Sequence, residues 1–452
     1  MSFWQPWDTW IVLTGAVAAM SCSVPGVWLV LRRQSLMGDA LSHTALPGVV
    51  LAFLLSQALN RADWVSSETL PLVEPALLVG GAMLIGVLTA VLTEVVQKLG
   101  QVEASAALGV VFTSFFALGL LLVRLAADNV HIDPDCVLFG QLELVIWDRV
   151  ALGPWQIPRA MLINGVVLLI NLTMTVLCFK ELRIAAFDPE LATTMGVNAR
   201  LLNYALMAVT AGTLVAAFTT VGSILVVGLL VVPAAAAMML TQRLKPLILL
   251  TLGLAALSAL LGHLLAKSLP AWIFNPLGFS EVRDAGTSGM MAAAAGGLFL
   301  IVFVMSPRQG LLGQALHRLH LSLGIARDDL LGTLYRREEE AGRTMPEEPA
   351  LGSLWRWLAP WNLRWQGWAV VNQGTLQLTD AGRARAGRIV RAHRLWESYM
   401  QKHFELPDDH LHATAHLVEH FLDEELQQRL FDELNAPQND PHGRSIPQPQ
   451  DP

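Results

Sequence analysis

The chain has 452 residues, 54% of them hydrophobic and 15% charged, with a mean hydropathy of +0.48. An ordinary soluble domain carries about 25% charged residues, so a wholly soluble protein is excluded. The formal charge of −7 averages two unlike halves: residues 9–305 are mostly long apolar runs, and 306–452 read as a soluble protein.

Three cysteines, Cys22, Cys136 and Cys178, are too few and too far apart for a disulfide framework or a CxxC metal site. The opening MSFWQPWDTW has no basic region, the first Lys or Arg being Arg32, so the first apolar run is expected to be a span and not a cleaved signal. A helix crosses a bilayer with about 20 apolar residues. Spans are therefore predicted near 9–31, 38–60, 72–97, 104–126, 158–179, 200–218, 220–240, 246–267 and 286–305, nine in all, or eight if a short segment is re-entrant. Small residues recur, as in GGAMLIGVLTAVL and GTSGMMAAAAGG, and they let transmembrane helices approach closely. The predicted fold class is an all-α polytopic membrane bundle of eight to nine transmembrane helices, followed by a mainly α cytosolic winged-helix-like and helical metal-binding region. Nine loop Lys and Arg residues fall on one side of such a bundle and six on the other. That bias puts the N-terminus outside and the long C-terminal region in the cytoplasm.

Within the second span, MGDALSHTALPGVV places Asp39 and His43 four residues apart, on one helix face. An oxygen and a nitrogen donor presented together suit Mn, Fe or Zn. Pro47 clashes with the carbonyl of His43, which frees a further oxygen near the pair. The plainer alternative is that Asp39 caps the helix and His43 hydrogen-bonds to it. His263, in LLGHLLAK, either joins a metal path or hydrogen-bonds inside the bundle. HIDPDC (131–136) offers His131, Asp133 and Asp135 in a loop expected outside, as a metal-receiving point or as a hydrated surface. Pro233 is expected to kink the seventh span. No GxxxxGK[ST] phosphate loop occurs, so a pump built on this chain would need a separate motor.

VWLVLRRQSLMGDALSHTALPGVVLAFLL, EASAALGVVFTSFFALGLLL and FKELRIAAFDPELATTMGVNARLLNYALMAV together resemble the permease subunits of zinc-, manganese- and iron-type ABC importers, over roughly 9–306. The resemblance implies a non-enzymatic transport subunit of a bacterial inner membrane. It would be served by an ABC ATPase, an extracytoplasmic metal-binding protein and a second permease chain, the same or a sister. It also implies that Asp39 and His43 line the metal path at the permease dimer interface. FDPELATTMGVNARLL (187–202), with Asp188, Glu190 and Gly196, would dock on the ATPase; read without the resemblance, it is a solvated loop before a short helix.

After Ser306, residues 307–343 read as a linker helix followed by an amphipathic helix, and 307–364 as a linker plus the degenerate helical part of a winged unit. AVVNQGTLQLT alternates like a hairpin and leads into a helix with Asp380 near its start as a cap. Between Leu351 and Arg394 seven arginines (356, 364, 383, 385, 388, 391, 394) face one acid, Asp380. Such an excess is the footprint of a phosphate-binding surface, or of a helix that meets headgroups or an acidic neighbour. His393 and Glu397 lie at i and i+4, and His412, His416, Glu419 and His420 form a second stripe, giving six donors in 28 residues. Two such helices facing each other would enclose one or two first-row metal ions.

LTDAGRARAGRIVRAHRLWESYM, DDHLHATAHLVEHFLDEELQQRLFDEL and DPHGRSIP are similar to the metal-dependent repressors of the iron and manganese type, over roughly 365–447. The resemblance assigns His393, Glu397, His412, His416, Glu419 and His420 as metal ligands. His416 departs from the pattern, where Cys, Met or Glu is usual. LWRWLAPWNLRWQGW, with five tryptophans and a proline, is unlike a recognition helix, so DNA is a weak expectation. Residues 448–452 are expected to be a disordered tail. The resulting expectation is an importer permease for Mn²⁺, alternatively Fe²⁺ or Zn²⁺, with a metal-sensing domain. The rival is a membrane-tethered, metal-dependent DNA-binding regulator.

Overall fold

The computed structural model describes residues 4–62, 64, 70–126, 140, 142–152, 155–276, 284–306, 310–339, 355–372, 375–404, 415–416 and 418–448. The chain divides into two compact units, Met1–Gly313 and Gln314–Pro452.

In the first unit nine helices among the described residues are long and apolar enough to cross a membrane. They are α1 (Pro6–Leu31), α2 (Ser35–Arg61), α3 (Leu70–Gly100), α4 (Ala104–Ala126), α5 (Arg159–Leu177), α8 (Ala199–Val221), α9 (Ser223–Leu240), α10 (Leu244–Phe274) and α11 (Thr287–Met305). Each coincides with an expected span. Two short helices, α6 (Phe179–Phe187) and α7 (Pro189–Thr194), intervene after α5. A 3₁₀ turn at Leu142–Ile146 and an antiparallel hairpin, β1 (Arg149–Leu152) with β2 (Trp155–Pro158), precede it.

Helix α1 packs against α5, α8, α9 and α10, and its Ala18, Ala19, Cys22, Val27, Trp28 and Leu29 are buried. Small residues permit this crowding. Gly26 faces the backbone carbonyl of Leu230 on α9, and Gly48 of α2 faces the backbone of Gly81 on α3, so a Cβ at either would overlap main chain. Polar side chains then fix the register, since lipid offers no competing water. The Asn171 amide of α5 donates to the Ser21 carbonyl at 2.9 Å and to the Thr213 hydroxyl at 3.0 Å, joining α5, α1 and α8. Helix α2 runs through Pro47 without interruption, and Gly119 of α4 leaves room for the proline ring. Likewise α9 continues past Pro233.

The second unit contains most of α12 (Leu311–Glu339), then α13 (Trp355–Trp365), a hairpin of β3 (Ala369–Asn372) with β4 (Thr375–Leu378), α14 (Asp380–His403) and α15 (Glu424–Glu433). The expected break between a linker helix and an amphipathic helix is not there. Residues 311–339 contain no proline, and one helix spans them. Leu331, Leu334, Leu363, Ala369, Leu378, Ala386 and Ile389 form one core that joins α12, α13, the hairpin and α14. Ala392, Leu422 and Leu430 form another where α15 meets α14. The cap of α14 is Thr379 and not Asp380. Thr379 has the extended backbone a cap requires (φ −78°, ψ 172°) and accepts from the Gly382 amide at 3.1 Å. Asp380 is the first helical residue and pairs with Arg383 at 3.0 Å.

Candidate functional site

Asp39 and His43 share one face of α2, with His43 Nε2 3.8 Å from Asp39 Oδ1. Asp39 is not a cap, because α2 already starts at Ser35. Its side chain is 56% exposed and that of His43 44%. The imidazole packs edge-on to Phe116 of α4, centroids 5.4 Å apart, and tilted against Phe112 at 6.2 Å. The same exposed face continues through Leu36 and, further along, Leu51 and Leu55. A carboxylate and an imidazole thus open outward from an otherwise apolar span.

His263 lies elsewhere. It is buried on α10, its Nδ1 3.2 Å from the Thr287 hydroxyl of α11 and its Nε2 3.3 Å from Asp8 of α1. Lys267, one turn on, reaches Asp8 at 2.5 Å. These contacts tie three helices together, and among the described residues none joins His263 to Asp39 or His43.

Asp188, Glu190 and Gly196 frame α7. Asp188 Oδ1 accepts from the amides of Glu190 (3.1 Å) and Leu191 (2.9 Å), and Pro189 occupies the first helical position, where its missing N–H costs nothing. The helix ends where Gly196 takes φ +83°, with Val197 N bonded to Ala192 O at 2.9 Å. Phe187, Leu191 and Met195 are exposed at four-residue spacing. Glu190 is exposed beside them. Exposed apolar side chains thus lie on and on either side of this short capped helix: Leu191 within it, Phe187 at the end of α6 and Met195 at its C-cap.

In the second unit the sequence-predicted donors converge. His393 on α14 sends Nδ1 to Glu419 Oε2 at 2.6 Å and Nε2 to Glu397 Oε1 at 3.0 Å. Glu419 also meets His416 Nδ1 at 3.0 Å and His420 Nε2 at 3.6 Å. Asp329 of α12, which no sequence pattern marked, sits 3.0 Å from His420 Nε2 and 3.8 Å from His416 Nε2. Ligand atoms of Asp329, His416, Glu419 and His420 all lie within 4.8 Å of one another. His442, also unmarked, approaches Glu397 at 4.0 Å. His412, HIDPDC and residues 449–452 lie outside the described residues.

The donor set fits a divalent first-row cation. It mixes imidazole nitrogen with carboxylate oxygen. Among the described residues His420 Nδ1 is buried without a hydrogen bond, and Asp329 Oδ1 is met by the imidazoles of His420 and His416, an arrangement that a cation could take over. Burial alone would push the Glu419 carboxyl up, but hydrogen bonds from His393 and His416, with Arg336 nearby, bring it down to about 2. Burial alone would push His393 down, and the Glu397 and Glu419 carboxylates overcome it, so its imidazole holds its proton above the ordinary range. The Glu419 hydrogen bond raises His416 likewise, against burial. Cation binding must expel those protons. Affinity is therefore expected to rise with pH through and above about 6.5. Calorimetry in buffers of different ionisation enthalpy should find more protons released near neutrality than in alkaline solution.

Residues 8–271 match the family described as the ABC 3 transport family. The chain belongs to that family. It is 38% identical to the zinc transport system membrane protein TroD of Treponema pallidum over 306 residues, 68% of this chain and 76% of the relative. It is 35% identical to the manganese transport system membrane protein MntD of Bacillus subtilis over 315 residues, 70% of this chain and 97% of the relative. Among solved structures, PsaBC from Streptococcus pneumoniae in complex with Fab matches at TM-score 0.51 and 28% identity, over 67% of this chain and 92% of that one. Residues 379–448 match the iron dependent repressor, metal binding and dimerisation domain. The protein is thus a multi-pass ABC permease subunit that carries a repressor-like C-terminal domain.

The permease's arginines correct one expectation. Five of the seven that suggested a phosphate-binding face are engaged within their own domain. Arg383 pairs with Glu338 (2.8 Å), and Arg388 with Glu424 (2.5 Å). Arg385 reaches Asp328 at 3.5 Å and lies over the Trp368 ring. Arg391 and Arg394 are buried. Arg391 donates to Pro447 O at 2.8 Å, and Arg394 binds Glu339 through two nitrogens (2.6 and 3.1 Å) and Ser445 O at 2.5 Å. Arg391 and Arg394 clamp the segment around DPHGRSIP to α14, and all five guanidinium groups meet acids or backbone of their own domain.

Proposed function

We propose that this permease imports a divalent transition metal, Mn²⁺ first, with Fe²⁺ or Zn²⁺ as alternatives, through the inner membrane with its N-terminus outside. Asp39 and His43 carry the reading. An ionised carboxylate within a span is costly and usually finds a partner or marks a pathway, so the exposed Asp39, in the second turn of α2, calls for a cover other than acyl chains. A second permease chain, the same or a sister, placed against this face of α2 would enclose a path lined by oxygen and nitrogen donors. In this reading an extracytoplasmic binding protein delivers the metal and a separate ABC ATPase docks on α7 through Asp188, Glu190 and the neighbouring apolar side chains, near Gly196. His263 holds the bundle together beside Asp8.

The cytosolic donors His393, Glu397, His412, His416, Glu419 and His420, with Asp329, would bind arriving metal and restrain the transporter, so that feedback need not pass through gene expression. In inverted or loaded vesicles, internal Mn²⁺ is expected to slow uptake by the intact chain and not by one truncated after residue 306. Equal inhibition of both would eliminate the sensing role.

A further inference from the structure

Helix α13, which precedes the hairpin, is apolar on two sides. Ala359 and Leu363 are buried in the domain core. On the opposite face Leu358, Trp361 and Trp365 follow at i, i+3 and i+7 and are 37%, 63% and 76% exposed. Arg364 is exposed beside them. Val370 and Val371 of β3 are also exposed. From 351 to 379 the chain has no Asp or Glu. A surface helix ordinarily turns polar residues outward, and a contiguous exposed apolar face marks an interaction site.

We infer that Leu358, Trp361, Arg364 and Trp365 form a docking face for the surface of an anionic lipid bilayer. Tryptophan is the side chain that settles at the headgroup level, where its ring is half in hydrocarbon and its N–H meets water. An interfacial helix combines such rings with cationic residues. The acid-free stretch around Arg364 complements anionic headgroups, whereas an acidic partner surface is the only protein chemistry that would do the same. The tether adds a third argument. Helix α12 begins at Leu311, soon after the last span ends at Met305, so a bilayer is always present at high effective concentration. DNA suits the face poorly, because base edges are read by hydrogen-bonding side chains and the most exposed residues here are two indoles.

The test uses the full-length protein in detergent, in phosphatidylcholine nanodiscs and in nanodiscs with roughly one third phosphatidylglycerol. Amide hydrogen exchange is followed across 355–372. Exchange is expected to slow at least about tenfold in the anionic discs relative to the neutral ones. W361S/W365S should return it to the neutral-disc rate, and R364Q should weaken the contrast. Unchanged exchange in α14 of each variant shows that the unit is still folded. Equal protection in all three environments would mean that protein covers the face, and no protection in any would mean that nothing does. Either result overturns the inference, as does protection that W361S/W365S fails to lift.

Discussion

Asp39→Asn is expected to lower metal uptake about tenfold to a hundredfold, and His43→Ala to do the same, while the permease still inserts and still supports ATP hydrolysis by its partner. Losing even an outer-shell partner of a metal site costs about tenfold to a hundredfold, and losing a donor costs at least as much. The two side chains present an oxygen and a nitrogen 3.8 Å apart, so neither substitution leaves a complete pair. The structural alternative predicts a different sign. If Asp39 served only to stabilise α2, its removal would destabilise the protein. It caps nothing, and its closest ionic partner is a half-exposed histidine. Replacing an exposed carboxylate in a span removes an insertion cost and adds none. The variant should therefore be as stable as the native chain, or more so, and yet inactive. Initial rates of Mn²⁺ uptake in proteoliposomes that hold the ATPase and the binding protein check this, alongside thermal unfolding of the same preparations. Uptake by Asp39→Asn within a factor of about two of native would remove the pair from the path.

The spans were legible in the sequence because length and apolarity alone decide them. The hairpin of β1 and β2 was not: its strands are no shorter than β3 and β4, but RVAL does not alternate and WQIP leads straight into the next span. Helix α7 was legible through Asp188-Pro189, a cap and a first-turn proline in succession. The donor cluster of the C-terminal domain was half legible. The stripe spacing marked His416, Glu419 and His420, but nothing local distinguishes Asp329 from Asp328. Asp328 turns to Arg327 and Arg385, whereas Asp329 turns to the imidazoles. Only the packing of α12 against the rest of its domain separates them. The arginine excess misled for a related reason. A window from 351 to 394 counts charges but not their partners, and Glu338, Glu339, Glu424 and Asp440 all lie outside it.

In the C-terminal domain the largest loss is expected from Glu419→Gln. The side chain is 1% exposed, and it faces His393 at 2.6 Å, His416 at 3.0 Å and Arg336 at 3.8 Å. Removing one partner of a buried ionic cluster costs about 3–5 kcal/mol, because the remaining charges stay desolvated. That is a large share of the roughly 5–15 kcal/mol that holds a domain folded. The acid side gives a second signature. A carboxyl held at about 2 in the folded chain and ordinarily near 4.5 contributes stability that is present above about 4.5 and lost as pH falls towards 2. Glu419→Gln should lack that part of the acid transition. In the full-length protein α14 should then exchange its amides faster, and bound Mn²⁺ per chain should fall, whereas Arg429→Gln, on the exposed surface of α15, should change neither. Unaltered metal content and unaltered protection of α14 in Glu419→Gln would contradict a metal centre built around this carboxylate. The same variant distinguishes sensing from transport. Asp39 and His43 are untouched in it, so uptake should persist while inhibition by internal Mn²⁺ disappears. If inhibition survived the loss of metal from the domain, the restraint would have to arise within the membrane bundle itself.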